Sequence, residues 1–114
     1  MPIIVKIRCA STHEPDQHTI QASQFPSKIE RAIDKATKHT VVILEVRPKG
    51  TRINWYWAWQ VNRTERDDRS RSITTRTKFS DDRMILPTTI GEFFELEVKS
   101  VAVVDGRHTE WFDL

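Results

Sequence analysis

The chain of 114 residues is long enough for one domain, and with 38% hydrophobic and 30% charged residues it is a folded protein rather than a disordered tail. No apolar run approaches the roughly 20 residues of a membrane-spanning helix, and a single cysteine, Cys9, excludes an internal disulfide and a cysteine-based zinc site. We therefore expect one compact domain over residues 1–114, located in the cytoplasm and without contact with a membrane.

Charge is distributed unevenly along the chain, although the net charge is only +2. Residues 47–78 carry nine Lys/Arg against three Asp/Glu, whereas residues 79–114 carry three against eight. One interpretation is that the two blocks form neighbouring strands whose charges neutralise each other across a sheet face. The other is a pair of surface patches of opposite sign, each able to attract a partner.

The first third of the chain predicts two strands and one helix. Apolar residues alternate over residues 2–9, which predicts a strand with one buried face, and a short strand is expected over 18–22. Ser27 is followed three residues later by Glu30, the spacing of a capping box at the start of a helix. One apolar stripe then recurs at helical spacing: Ile29, Ala32, Ile33 and Ala36. The helix is predicted over about 27–39.

The rest of the chain is strand-like. Strands are predicted over 40–47, 51–62, 72–79, 92–104 and 108–112, with a bulge near Ser100 and a hairpin turn at Asp105–Gly106. This order predicts an α+β fold in which one helix packs on a curved, mainly antiparallel sheet of five to six strands. The order of elements resembles cystatin-like and hotdog-like folds in outline, and such scaffolds carry many different functions.

A ladder of aromatic residues is the most unusual feature of the sequence. Five apolar residues share one face of the strand over 51–62: Ile53, Trp55, Trp57, Trp59 and Val61. An apolar run at period two is typical of a core face, although an oligomer interface or a platform for stacking bases would use the same pattern. The opposite face, which carries Tyr56 and Gln60, is then available to a partner.

An arginine-rich hairpin is expected within residues 47–78. Its basic side chains could bind phosphates or an acidic partner: Arg63, Arg66, Arg69, Arg71, Arg76 and Lys78. Acidic residues are interleaved with the arginines at 65, 67 and 68, so a solvated loop that pairs with itself is the competing interpretation.

A three-residue pattern suggests chemistry at one further place. Glu97 and Lys99, preceded by Asp82, resemble the spacing of the PD-(D/E)xK nucleases, in which two carboxylates hold a divalent metal and the lysine orients water. The predicted hairpin at 105–106 stands where those nucleases have a helix. Neither a glycine-rich phosphate loop nor histidines at metal-binding spacing occur, so we expect no cofactor, no resident metal and no catalytic residues.

These observations favour a small non-catalytic domain of the adaptor, inhibitor or homodimer type. The Arg-rich hairpin and the sheet face around Tyr56 and Gln60 would bind a protein partner or a second copy of the chain. Two alternatives stay open: a nucleic-acid-binding protein that uses the hairpin over 47–78, and a metal-dependent nuclease.

Overall fold

The computed structural model describes residues 3–11, 14–15, 18–50, 52, 54–62, 71–75 and 91–114. One helix packs against a curved antiparallel sheet that forms a half-barrel, which confirms the predicted α+β class. Within the described residues the strands are β1 (Ile3–Ser11), β2 (Glu14–Pro15), β3 (Thr19–Gln21), β4 (Thr40–Pro48), β5 (Trp55–Asn62), β6 (Ser72–Thr75), β7 (Phe93–Asp105) and β8 (His108–Asp113). The helix is α1 (Ser27–Asp34), and a short 3-10 turn spans Ala22–Gln24. Each predicted strand has a counterpart in the described residues, and two-residue β2 is an addition. The strand predicted from residue 51 starts at Trp55, and the end of the strand predicted over 72–79 lies outside the described residues.

Strand β7 is the longest of these strands and organises the sheet. One of its sides pairs with β4, and the other pairs first with β1 and then with β8. Beyond β4 the sheet continues through β5, β6 and β3, while β2 pairs with β1 at the opposite end. Each of these pairings is antiparallel.

The sheet face that packs against the helix, called the inner face, carries the core. Trp57 and Trp59 are only 1% and 0% exposed, and their rings meet edge to face with centroids 5.7 Å apart. They pair across the strands with Leu44 and Val42, which are also fully buried. The core interpretation is therefore confirmed for these two tryptophans. The side chain of Trp55 lies outside what the structure describes.

Helix α1 starts where predicted, but its cap differs from the prediction. The N-cap residue is Pro26, whose extended backbone (φ −54°, ψ 153°) leaves Ser27 as the first helical residue. The Ser27–Glu30 capping box is therefore wrong. Instead, the backbone N–H of Glu30 donates to the Pro26 carbonyl oxygen at 3.0 Å, the first hydrogen bond of the helix.

Helix α1 ends at Asp34, so the predicted end at about 39 is also wrong. The N–H of Thr37 donates to the hydroxyl oxygen of Thr40 at 2.8 Å, and the N–H of His39 donates to the Thr37 hydroxyl oxygen at 3.2 Å. Threonine side chains that bind nearby backbone groups compete with helical hydrogen bonds, and here they fold residues 37–40 into a turn. The Thr37 hydroxyl in turn donates to Oδ1 of Asp105 at 3.1 Å, which ties the turn to the end of β7.

The apolar stripe of the helix faces the sheet as predicted. Ile29 and Ile33 are 1% and 0% exposed and belong to the same core cluster as the two buried tryptophans. Ala36, just after the helix, is also buried, whereas Ala32 is partly exposed. No helix in the described part of the chain has the length and apolar character needed to cross a membrane.

The predicted bulge lies on β7 beside Ser100. Glu45 of β4 pairs with Ser100, but the next β4 residue pairs with Val98, so Lys99 is the extra residue opposite β4. An extra residue shifts the alternation of faces by one position. Val98 before the bulge and Val101 after it both point to the inner face for this reason, and both are buried.

The predicted hairpin after β7 is also confirmed. Asp105 pairs with His108, so the loop contains only Gly106 and Arg107. Gly106 has φ +60°, a left-handed conformation that two-residue hairpin loops require and that glycine adopts without strain.

Because α1 packs on the sheet, shortening a buried side chain of the helix should lower the free energy of unfolding strongly. Replacing Ile33 by alanine should lower the free energy of unfolding by about 2–5 kcal/mol, because the fully buried side chain leaves a cavity. Urea denaturation of the purified protein measures this difference. The matched control is Lys28→Ala, an exposed position on the same helix, which should change stability by less than about 0.5 kcal/mol. Equal effects of the two substitutions would contradict the docking.

Candidate functional site

The sheet face opposite the helix, called the outer face, carries the residues predicted to meet a partner. Tyr56 and Gln60 both point to this face from β5 and are exposed. Cross-strand pairing aligns one row of this face over four strands: Ala58, Ile43, Ala102 and Trp111. A second row aligns Tyr56 with Glu45, Ser100 and Asp113. The candidate site is built on these two rows.

Tyr56 and Trp111 meet above the outer face, and we call this pair the aromatic bridge. Their ring centroids are 6.1 Å apart and their planes are nearly perpendicular at 82°, although β4 and β7 lie between their strands. The residues of β7 beneath them are small: Ser100 and Ala102, which are 6% and 0% exposed despite facing outward. Small side chains at these two positions leave room for the two long side chains to approach each other.

A carboxylate holds the tyrosine end of the bridge. The Tyr56 hydroxyl donates to Oε2 of Glu45 at 2.9 Å, and the Ser100 hydroxyl lies 3.2 Å from Oε1 of the same group and donates to it. The hydrogen bond to Glu45 and the negative charge of that carboxylate raise the pKa of Tyr56 above its ordinary value of 10.0. Glu45 thus fixes the orientation of the Tyr56 ring, which stays exposed.

The aromatic bridge is accessible as well as ordered. Tyr56 and Trp111 keep 54% and 49% of their surface exposed, whereas Trp57 and Trp59 of the inner face keep almost none. Tyrosine and tryptophan are enriched among the residues that dominate protein–protein binding energies, because they offer a large contact area at a low cost in side-chain entropy. An edge-to-face contact restrains both rings further before any partner arrives.

Charges at one end of the outer face are neutralised by pairs between neighbouring strands and by one pair within β7. The pairs of opposite charge are Lys6 with Glu95 and Arg47 with Glu97 in the strand register, Lys49 with Glu95 at 3.4 Å, and Lys99 with Glu97 at 3.3 Å. Exposed pairs of this kind contribute at most about 1 kcal/mol each to stability. These pairs also weaken the electrostatic field at the surface. Among the described residues, the acidic side chains of β7 are balanced by nearby basic ones, which favours the interpretation that the two charge blocks neutralise each other across a sheet face.

The other end of the outer face is polar and hydrogen-bonded. Gln60 pairs across the strands with Val41 and Thr74. The side-chain amide of Asn62, two residues further along β5, donates to the Thr74 hydroxyl and to the Ser72 hydroxyl. The aromatic bridge is therefore flanked by neutral polar groups on one side and by paired charges on the other.

Arg71 of the predicted hairpin set has a structural contact. Its Nη1 donates to the carbonyl oxygen of Ala36 at 3.0 Å, and its own carbonyl oxygen accepts from the N–H of Ala22 at 2.7 Å. Arginine here satisfies a carbonyl just after the end of α1, so it fastens the helix to β6. The other predicted basic residues lie outside the described residues: Arg63, Arg66, Arg69, Arg76 and Lys78.

The residues of the nuclease hypothesis are only partly described. Glu97 and Lys99 form the ion pair given above, and Asp82 lies outside the described residues. Within the described part of the chain, no group of three or more His, Cys, Asp or Glu side chains could hold a metal ion. After β7 the chain turns into the β8 hairpin, as the sequence predicted, and not into a helix.

Sequence reasoning missed two residues of the site, Trp111 and Glu45. Trp111 shares its strand face with Thr109 and Asp113, so a single large aromatic residue on a polar strand face was the available signal. Glu45 is the one acidic residue within the apolar segment over 40–47. A carboxylate in a central strand indicates that hydroxyl or amide donors surround it, as Tyr56 and Ser100 do here.

Comparison of the chain with protein-family models, curated proteins and solved structures gives no match. A function for this protein therefore has to be inferred from the geometry and chemistry of the outer face.

The hydrogen bond between Tyr56 and Glu45 predicts a measurable titration. Tyr56 is the only tyrosine of the chain, so the ultraviolet absorbance of tyrosinate reports on this residue alone. We expect a midpoint above 10, and Glu45→Gln should lower it toward 10 because the substitution removes the negative charge. Glu97→Gln, a carboxylate on the same face outside the Tyr56 contact, should leave the midpoint unchanged. Equal midpoints in the native protein and Glu45→Gln would contradict the contact.

The same titration predicts how stability depends on pH. The pKa of Tyr56 is higher in the folded protein than in the unfolded chain, so the unfolded chain loses its proton first as the pH rises. The stabilisation from the Tyr56–Glu45 contact should therefore be present below pH about 10 and decline above it. Urea denaturation on both sides of that pH, compared between the native protein and Glu45→Gln, measures the decline.

Proposed function

We propose that this chain is a small non-catalytic protein-binding domain whose outer face contacts a protein partner through the aromatic bridge. The observation that carries the proposal is that Tyr56 and Trp111 are about half exposed and yet held in place by each other and, for Tyr56, by Glu45. Large exposed aromatic rings on a rigid sheet are suited to the centre of an interface, where a few residues contribute most of the binding energy.

The surroundings of the bridge support the same function. Protein interfaces combine an apolar or aromatic centre, from which charge is depleted, with a polar rim. Around the bridge, Ile43 and Ala58 supply partly buried apolar surface, Gln60 supplies a polar edge, and the charges toward β1 are paired. A surface with balanced charge selects its partner by shape and aromatic contact more than by long-range attraction.

Nucleic-acid binding is the alternative from a different class. It would depend on the arginine-rich segment that includes Arg63, Arg66 and Arg69, outside the described residues. In the described part, Arg71 is engaged with the end of α1, and Arg47, Lys49 and Lys99 have acidic neighbours. Recognition of phosphates requires unneutralised cations, so the contacts of these four residues favour protein binding.

Site-specific photo-crosslinking tests the proposal. A photoreactive amino acid is placed at Gln60, on the same strand face as Tyr56, in the full chain expressed in the cells it comes from. We expect a discrete protein adduct. The further substitution Tyr56→Ala or Trp111→Ala should weaken that adduct at least about ten-fold, because aromatic residues at an interface centre contribute about 2 kcal/mol or more.

The matched control places the photoreactive residue at Lys28, which is exposed on α1 and far from the outer face in the fold. Little or no adduct is expected there. Adducts of equal yield at both positions, or an adduct from position 60 that is insensitive to Tyr56→Ala, would contradict the proposal. An adduct that disappears after nuclease treatment would support the nucleic-acid alternative, which anisotropy titrations against labelled single- and double-stranded nucleic acids at two salt concentrations would then measure.

A further inference from the structure

Strand β8 lies at an edge of the sheet. It pairs with β7 on one side, and no strand in the described ranges pairs with its other side. Its residues are exposed except for Phe112, which is partly buried. Pairing with β7 runs without interruption from His108 to Asp113, and the strand has neither the proline nor the bulge with which many proteins protect a sheet edge.

One hydrogen bond identifies which backbone groups of β8 point away from β7. The N–H of Leu114 donates to the carbonyl oxygen of Lys99 in the same register that pairs β8 with β7. Because N–H and C=O groups alternate in direction along a strand, even-numbered residues of β8 direct them toward β7 and odd-numbered residues direct them away. The free edge therefore offers the N–H and C=O groups of Thr109, Trp111 and Asp113.

We infer that a second copy of this chain binds at this edge, by antiparallel pairing of β8 with β8 about a two-fold axis that passes beside Trp111. In this register Trp111 lies opposite Trp111 of the second copy, and Thr109 lies opposite Asp113 of the second copy. All three residues with outward backbone groups then fall in hydrogen-bonded pairs, in which each pair exchanges both N–H···O bonds. The pairing is self-complementary and closed, as a two-fold dimer requires.

Side chains favour this register over its neighbour. On the outer face, each Thr109 hydroxyl faces the carboxylate of Asp113 across the axis, a donor opposite an acceptor, and the two exposed Trp111 rings are adjacent. On the inner face Glu110 lies opposite Phe112 of the second copy. A register centred on Glu110 would put two carboxylates directly opposite each other, which is destabilising. These relations point to a second copy rather than an unrelated strand.

Such a dimer goes beyond the proposed function. A two-fold axis perpendicular to the sheet keeps the two outer faces on the same side, so both aromatic bridges would lie side by side in one continuous sheet. The dimer would present the partner-binding surface twice. Trp111 belongs both to the dimer edge and to the aromatic bridge of the proposed function. Thr109 belongs only to the edge and Tyr56 only to the bridge, so substitutions at these two positions separate dimerisation from partner binding.

The first measurement is the mass of the full chain by sedimentation over a range of concentrations. We expect the average mass to rise from 13.4 kDa toward twice that value as the concentration increases. A mass that stays at the monomer value at all concentrations, or one that grows beyond the dimer without a limit, would overturn the inference.

Two charge substitutions at the axis test the register. Trp111→Lys and Trp111→Glu should each be monomeric, since each places like charges opposite each other, while an equal mixture of the two should regain dimer as a heterodimer. Circular dichroism checks that each variant is folded, which is expected for a half-exposed position. Folded variants that stay monomeric in the mixture, or that dimerise separately as well as the native protein, would overturn the register.

A last pair of variants separates the dimer from the proposed function. Thr109→Pro removes one outward N–H and leaves the β7 pairing and the aromatic bridge in place, so dimer should be lost while crosslinking from position 60 persists. Tyr56→Ala should have the opposite effect, with crosslinking lost and dimer retained. If Thr109→Pro keeps the dimer, the edge pairing is wrong whatever the crosslinking shows. If crosslinking alone fails, the proposed function is wrong and the dimer stands.

Discussion

The pairing of β7 with β4 is the interaction on which the rest of this structure depends. β4 contributes three fully buried residues to the inner face, Val42, Leu44 and Val46, and it can do so only with a long partner on each side. β5 covers one side, and β7 covers the other along almost the whole length of β4. Because β7 is longer than the strands on its far side, it accommodates two of them, β1 and β8, one after the other.

The bulge at Lys99 links this pairing to the candidate site. Without the extra residue, alternation from Val98 would turn Ser100 to the inner face; with it, Ser100 points outward and lies opposite Glu45. The same displacement lets Ala102 stand outward in the row that ends at Trp111. Two small residues thus lie beneath the aromatic bridge because of a single irregularity in β7. The bulge keeps Val98 and Val101 in the core, and it also determines which residues lie beneath the aromatic bridge on the outer face.

The outer face combines ordered aromatic rings with balanced charge. Among the described residues, basic residues of β1 and β4 face the acids of β7, so opposite charges are paired on this part of the outer face. A surface without a strong field offers contact area and hydrogen-bond geometry as its means of recognition. In our proposals the aromatic bridge supplies the contact area, and the edge of β8 that no strand in the described ranges covers supplies the hydrogen-bonding groups.

The sequence by itself determined which residues each element buries. Alternation over β5 identified the core face of Trp57 and Trp59, the change of parity near Ser100 located the bulge, and Asp105–Gly106 located the last hairpin. These are local signals, because periodicity reports the buried face of one element at a time. The tryptophan face and the α+β class followed from that information without knowledge of which strands are neighbours.

Only the tertiary structure decided what lies across from each residue. The helix ends early because Thr37 and Thr40 bind the backbone of a turn, and that turn is fastened to Asp105, 68 residues further along the chain. Tyr56 and Trp111 form one site although 55 residues separate them, because β4 and β7 bring their strands into one sheet. Strand order depends on pairing energies summed over the whole sheet, which no single segment contains. Local pattern could therefore predict that Tyr56 faces outward, but not that Trp111 and Glu45 lie beside it.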